Sequence, residues 1–192
     1  MNRLINFSLC LMLVISFPVI SEAAQVDFAW STPEFISHKK DSEGEKKYLI
    51  WCYSIRNTID KEITVPVATL LTTDTHKYYE DKYIPEIAGK VSEGDEKYIS
   101  ADEMKGEFDP GVTKKGIAIF EDIDPHAKRI NIFMTGLSHL FFWRWRLVDP
   151  SYKITYKKSG DKWILEEHGF TKDNSHINYA DPPERSRAGK LK

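Results

Sequence analysis

The run KYLIWCYSIR, residues 47–56, decides the fold class. It strings β-branched and aromatic residues together without a Gly or a Pro, which is the composition of a β-strand. Upstream, residues 26–30 read as a first edge strand, interrupted by Ser31-Thr32-Pro33. Residues 34–38 read as a second short strand before the polar turn 39–46. Downstream, residues 57–61 (Asn-Thr-Ile-Asp-Lys) read as a hairpin connection that Asn57 and Asp60 can close through side-chain to backbone hydrogen bonds. Residues 62–73 are expected to return as one strand, with Pro66 removing a ladder donor at an edge or bulge.

Further along, the pattern stays extended. Residues 74–100 are less regular, with Tyr78, Tyr79 and Tyr83 available to pack over a sheet and Gly94-Asp95 as a turn. Residues 85–91 read as a short helix with Pro85 in its first turn. Asp109-Pro110-Gly111 is a turn, residues 115–122 a strand, Asp124-Pro125 a second turn and residues 129–135 a third strand. Residues 152–158 and 162–167 form a hairpin through Ser159-Gly160-Asp161. Short strands with turn signals between them, and no long segment of helical period, predict an all-β protein. The expected architecture is an antiparallel immunoglobulin-like β-sandwich with a short helix in a long connection.

The first residues carry an address. Arg3 precedes an uncharged, mostly apolar stretch from Leu4 to Ser21, broken by Pro18 and closed by Ser21-Glu22-Ala23, the layout of a secretory signal peptide. The expected organisation is a signal peptide over 1–23, one β-sandwich domain over 24–170 and a disordered C-terminal tail over 171–192, where apolar content collapses. Export places the chain in a periplasmic or extracellular setting. No integral membrane span is expected once the signal is cleaved, and the oligomeric state is not readable.

Composition narrows the classes of partner. The net charge of −2 gives no electrostatic drive toward nucleic acid. Of the two cysteines, Cys10 lies in the signal, which leaves Cys52 without a partner for an intramolecular disulfide. Cys52 sits inside the decisive strand, where a buried, inert thiol is the expectation.

Three segments together carry a resemblance. YLIWCYSIRN (48–57) runs into DKEITV (60–65); PGVTKKGIAIF (110–120) follows, then RINIFMTGLS (129–138). Over about 48–138 the chain resembles the uncharacterised immunoglobulin-like domains of bacterial secreted proteins and lipoproteins. The resemblance implies a fold and brings no catalytic set with it.

The search for chemistry finds no Gly-x-Ser-x-Gly elbow, no phosphate-cradling loop and no alternating-Asp calcium loop. The six histidines lack metal-ligand spacing, so no metal and no cofactor is implied. Glu166 and His168 can share a strand face, and solvated strand-end residues are the simpler reading.

The sharpest local anomaly is HLFFWRWRLV, residues 139–148. Read as one extended strand, it puts Phe141, Trp143, Trp145 and Leu147 on one face and Phe142, Arg144, Arg146 and Val148 on the other. Phe142, Trp143, Arg144, Trp145 and Arg146 are the candidate binding residues, because aromatics and Arg are enriched at binding hot spots. The functional expectation is an exported, non-enzymatic binding or structural accessory module of the cell envelope, meeting an envelope protein or a carbohydrate. One alternative is a ligand-binding domain that uses exposed aromatics, Trp143, Trp145 or Trp163. The other is a secreted hydrolase with dispersed carboxylates, which needs two acids converging in a cleft.

Overall fold

The computed structural model describes residues 26–40, 44–92, 97–137, 141–143, 146–148 and 151–171. The expected leader, the Gly94-Asp95 turn and the tail beyond Thr171 lie outside these residues. In chain order the elements are β1 (Val26–Trp30), β2 (Glu34–Lys40), β3 (Gly44–Asn57), β4 (Ile63–Thr64), β5 (Ala68–Thr73), β6 (Tyr78–Glu80), α1 (Pro85–Val91) and α2 (Ala101–Met104). They continue with β7 (Glu107–Phe108), β8 (Thr113–Glu121), β9 (Arg129–Thr135), β10 (Phe141–Trp143), β11 (Arg146–Val148), β12 (Tyr152–Ser159) and β13 (Lys162–Phe170). Among the described residues the protein is all-β with two short helices, and every pair of these strands is antiparallel.

β3 is the spine of the first sheet. β8 runs along one side of it, and β1 and β2 share the other side, end to end. The second sheet has the order β13-β12-β9-β5-β6. Leu49, Trp51, Tyr53 and Ile55 of β3 share one buried cluster with Leu71 of β5, Ile130, Ile132 and Met134 of β9, and Tyr152, Ile154 and Tyr156 of β12. The alternate β3 residues, Tyr48, Ile50 and Cys52, pack with Ile117 and Ile119 of β8 under Ile87 and Ala88 of α1. A strand covered on both faces needs apolar residues at successive positions rather than at alternate ones, and so residues 48–53 are apolar throughout.

Size complementarity sets the β3–β8 contact. Tyr53 pairs with Gly116 and Trp51 with Ala118, large against small. A Cβ at Gly116 would run into the Tyr53 ring. Asn57 closes β3. It is fully buried, donates from Nδ2 to the carbonyls of Lys61 (2.8 Å) and Phe108 (2.9 Å), and accepts at Oδ1 from the Ile59 backbone N–H (3.0 Å). Its carbonyl also accepts from Gly111 N. Gly111 has φ +76 after Pro110, and Val112 N donates to Asp109 O, which is the geometry of a type II turn.

Two expectations are corrected. Residues 62–73 are not one return strand. β4 pairs with β7, the chain breaks at Pro66, and β5 crosses to the second sheet between β9 and β6. Pro66 cannot donate to a ladder, and the sheet change falls there. The run 139–148 is not one strand either. β10 and β11 pair as a hairpin with Phe141 opposite Val148, Phe142 opposite Leu147 and Trp143 opposite Arg146. Alternation counted straight through residues 141–148 therefore does not survive the reversal. At the end of the described residues, the Thr171 backbone N–H (2.8 Å) and its Oγ1 (3.1 Å) both donate to Ser151 O.

The expected helix over 85–91 is α1. α2 was not expected, although Ser100 and Glu103 form a reciprocal capping box at its start. Among the described residues no helix is long and apolar enough to cross a membrane.

Candidate functional site

Of the five sequence-predicted site residues, Phe142 and Trp143 lie in β10 and Arg146 in β11, while Arg144 and Trp145 lie outside the described residues. The hairpin brings Trp143 and Arg146 to paired register positions. Trp163, offered as a stacking residue in the carbohydrate alternative, is only 5% exposed and belongs to the core. It shares a register position with Lys158 beside the inward-facing Tyr156, which turns it into the interior rather than toward solvent.

A cluster of partly buried aromatics lies along the lateral opening where the β1–β2 row of one sheet meets β12 and β13 of the other. Phe28 and Trp30 stand at the β1 positions opposite Ile55 and Tyr53, so they face the space between the sheets. They are only partly buried, because β1 is the outermost strand of its sheet. Their rings stack at 5.2 Å. From the second sheet, the His168 ring meets Trp30 edge-on at 5.2 Å, and Tyr152 lies 5.4 Å from Phe28 and 5.5 Å from Trp30. Phe170 closes the group against Tyr152 at 5.0 Å, ring perpendicular to ring. Edge-to-face and offset contacts at these separations are the favoured arrangements of aromatic quadrupoles.

One hydrogen bond orders this cluster. The Tyr152 hydroxyl lies 2.8 Å from His168 Nδ1. Burial pushes the Tyr152 phenol above its ordinary range, so it keeps its proton. The contact ties the His168 imidazole to the edge of the core. Tyr152 is buried and His168 exposed, so a fixed interior group orients a solvent-facing one.

The seam continues past Ser31. The Tyr156 hydroxyl donates to Ser31 O at 3.1 Å and joins the two sheets. Ser31 replaces a regular ladder step, with its backbone N–H donating to Cys52 O and its Oγ accepting from Cys52 N. Beyond it, Phe35 (41% exposed) sits 6.5 Å from the Trp163 ring, and Leu165 (44% exposed) shares a register position with Tyr156. Apolar surface thus lines the opening on both sides of the Ser31–Tyr156 link.

The carboxylates nearest His168 are engaged elsewhere. Glu166 is held by a two-pronged ion pair with Arg129 (2.7 and 3.0 Å), and Glu167 by Lys153 (2.8 Å) and Thr155 Oγ1 (3.2 Å). Both are kept below the usual carboxylate range, chiefly by those hydrogen bonds from the cations. Two ionised carboxylates cannot divide the acid and base roles of a hydrolytic pair at neutral pH. Cys52 is partly buried beneath α1, and burial, with Glu34 nearby, pushes its thiol up to about 11. It is a protonated packing group.

The chain matches no protein-family model, no curated protein and no solved structure. Trp30, Phe28 and Tyr152 were not read as site residues from the sequence. No local pattern marks them, since Trp30 meets His168 across nearly the whole described chain.

Proposed function

We propose that this chain is an exported, non-enzymatic binding or structural accessory module of the cell envelope. Its two facing sheets form an immunoglobulin-like sandwich of the kind seen in uncharacterised domains of bacterial secreted proteins, and its binding surface is the aromatic seam. One observation carries the reading: a half-buried Trp30 ring held between Phe28 and His168, with Tyr152 fixing the imidazole from behind. Preset aromatic rings cost little entropy to use and supply large contact area, which is why they dominate binding hot spots. The apolar stretch closed by Ser21-Glu22-Ala23 supports export.

The carbohydrate form of this reading draws on the same place. A sugar ring stacks its C–H face on an aromatic ring and hydrogen-bonds to a polar group at the ring's edge, and Trp30 with the His168 imidazole offers both.

Titration of the protein with neutral oligosaccharides and with peptides, followed by intrinsic tryptophan fluorescence, tests the proposal. Binding of one class that weakens at least tenfold in Trp30→Ala, with the fold intact by circular dichroism, is the expected result. Ligand affinity unchanged in a folded Trp30→Ala protein would overturn it.

A further inference from the structure

We propose that the outer edge of β13 is a self-association surface: two copies of this chain join β13 to β13, antiparallel, about a two-fold axis at Ile164. The second sheet then continues from one copy into the other. The inference rests on the strand edge and does not depend on the aromatic seam. Among the described residues β13 is the last strand of its sheet, with β12 on one side and no strand on the other. Unpaired edges are templates for a further strand, and soluble proteins blunt them with charges or Pro. The middle of β13 carries neither. Ile164 is 55% exposed and Leu165 44%, and both stand on this edge beside the exposed Phe35.

The backbone of the edge is set for pairing. Ser159 lies opposite Lys162 across the two-residue turn Gly160-Asp161. The pair that closes such a turn exchanges hydrogen bonds, and the pairs beyond it alternate. Lys162 and Ile164 therefore bond toward β12. The N–H and C=O groups of Trp163 and Leu165 point the other way, to the open edge.

The side chains choose the register. A two-fold axis normal to the sheet keeps every residue on its own face. With the axis at Ile164, Trp163 of each copy lies opposite Leu165 of the other, so their outward backbone groups bond across the axis. Lys162 lies opposite Glu166 at both ends. The bulge between Thr155 and Tyr156 leaves Glu166 without an opposite residue in β12, and its bond to Arg129 (2.7 Å) places it on the outer face that Lys162 and Ile164 share. Apolar residues thus meet at the three central positions, and a cation meets a carboxylate at each end, the favourable cross-strand combinations. An axis at Leu165 sets Ile164 against Glu166, and an axis at Trp163 sets Ile164 against Lys162. A single strand pair is a small interface, so the dimer is weak.

Sedimentation velocity of the exported protein across the micromolar range, beside Lys162→Glu and Glu166→Lys, tests the pairing. Wild type should pass from monomer to dimer as concentration rises. Each variant alone sets like charges at both ends of the strand pair and should dissociate about tenfold more readily. An equimolar mixture of the two variants faces opposite charges again at both ends and should recover the wild-type dimer, which misfolded variants could not do. A wild-type protein that stays monomeric, a dimer that both variants leave unchanged, or a mixture no more dimeric than its components would each overturn the proposal. So would a monomer whose Trp163 and Leu165 amides resist hydrogen exchange, because another segment would then cover the edge.

Discussion

The two lateral openings between the sheets are closed by opposite chemistries. Between β1–β2 and β13 the closure is aromatic, with Phe28, Trp30, Tyr152 and Phe170 in ring contact. Between β8 and β5–β6 it is polar: Asp81 bridges Thr69 and Ile119, and at the nearby loops Asp124 accepts from Thr75 (3.0 Å) and Lys77 (2.9 Å) while its N–H donates to Tyr79 Oη (3.0 Å). Contacts between Phe, Trp and Tyr rings carry no buried charge and tolerate partial exposure, so the aromatic edge can stay half open and still hold. A half-buried carboxylate without a cationic partner carries a desolvation cost that depends on protonation.

The largest expected effect breaks the aromatic edge. Trp30→Ala removes a partly buried ring with three aromatic neighbours and should cost about 2–3 kcal/mol, below the range for fully buried Trp truncations. Denaturant melts at pH 7.5 check it, and a Trp30→Ala protein as stable as wild type would contradict the packing of this edge.

Next comes Asp81→Asn, which should raise stability at pH 7.5 by about 2 kcal/mol, with the gain fading toward pH 5. Asp124 works with the opposite sign. Its bond to Lys77, with further bonds from His126 N–H and Thr75, holds it down to about 2, so its stabilisation is present above about 4 and lost as pH falls toward 2. Stability should therefore peak in mild acid, between these two windows, and guanidinium melts at half-unit pH steps would locate the maximum.

Smaller still is Tyr156→Phe. It deletes the one hydroxyl that joins Ser31 O to the second sheet and should cost about 1 kcal/mol. Tyr53→Phe removes a buried hydroxyl with no hydrogen-bond partner among the described residues, and its stability should be unchanged or raised by up to about 1 kcal/mol. A clear loss from Tyr53→Phe would show that this hydroxyl supports the Asp81 carboxylate after all.

What could be read from the sequence followed how local its cause was. The decisive run became the spine of a sheet, the strand over 129–135 and the helix begun by Pro85 fell where expected, and Asn57 closed its turn through its side chain. Each depends on residues within a few positions. The reversal between Trp143 and Arg146 was missed because no Gly, Pro, Asn or Asp marks it, so unbroken alternation looked sound. The sheet change after β4 was read as a continued strand because a Pro signals a break without saying which sheet follows. Both edges escaped notice for the same reason. Asp81 meets Ile119 38 residues away, and Tyr156 meets Ser31 across 125. α2 had a local signal in Ser100 and Glu103, but it spans only a single turn.

The most direct test is a ¹H–¹⁵N spectrum of the tryptophan indoles during titration with the oligosaccharide or peptide class that binds. The Trp30 indole should shift with ligand, together with the Phe28, Tyr152 and His168 amides, while the buried Trp51 and Trp163 indoles stay in place. Saturable binding that leaves Trp30 unmoved and shifts Trp143 or Trp145 instead would move the site to the β10–β11 hairpin and contradict the account of the seam.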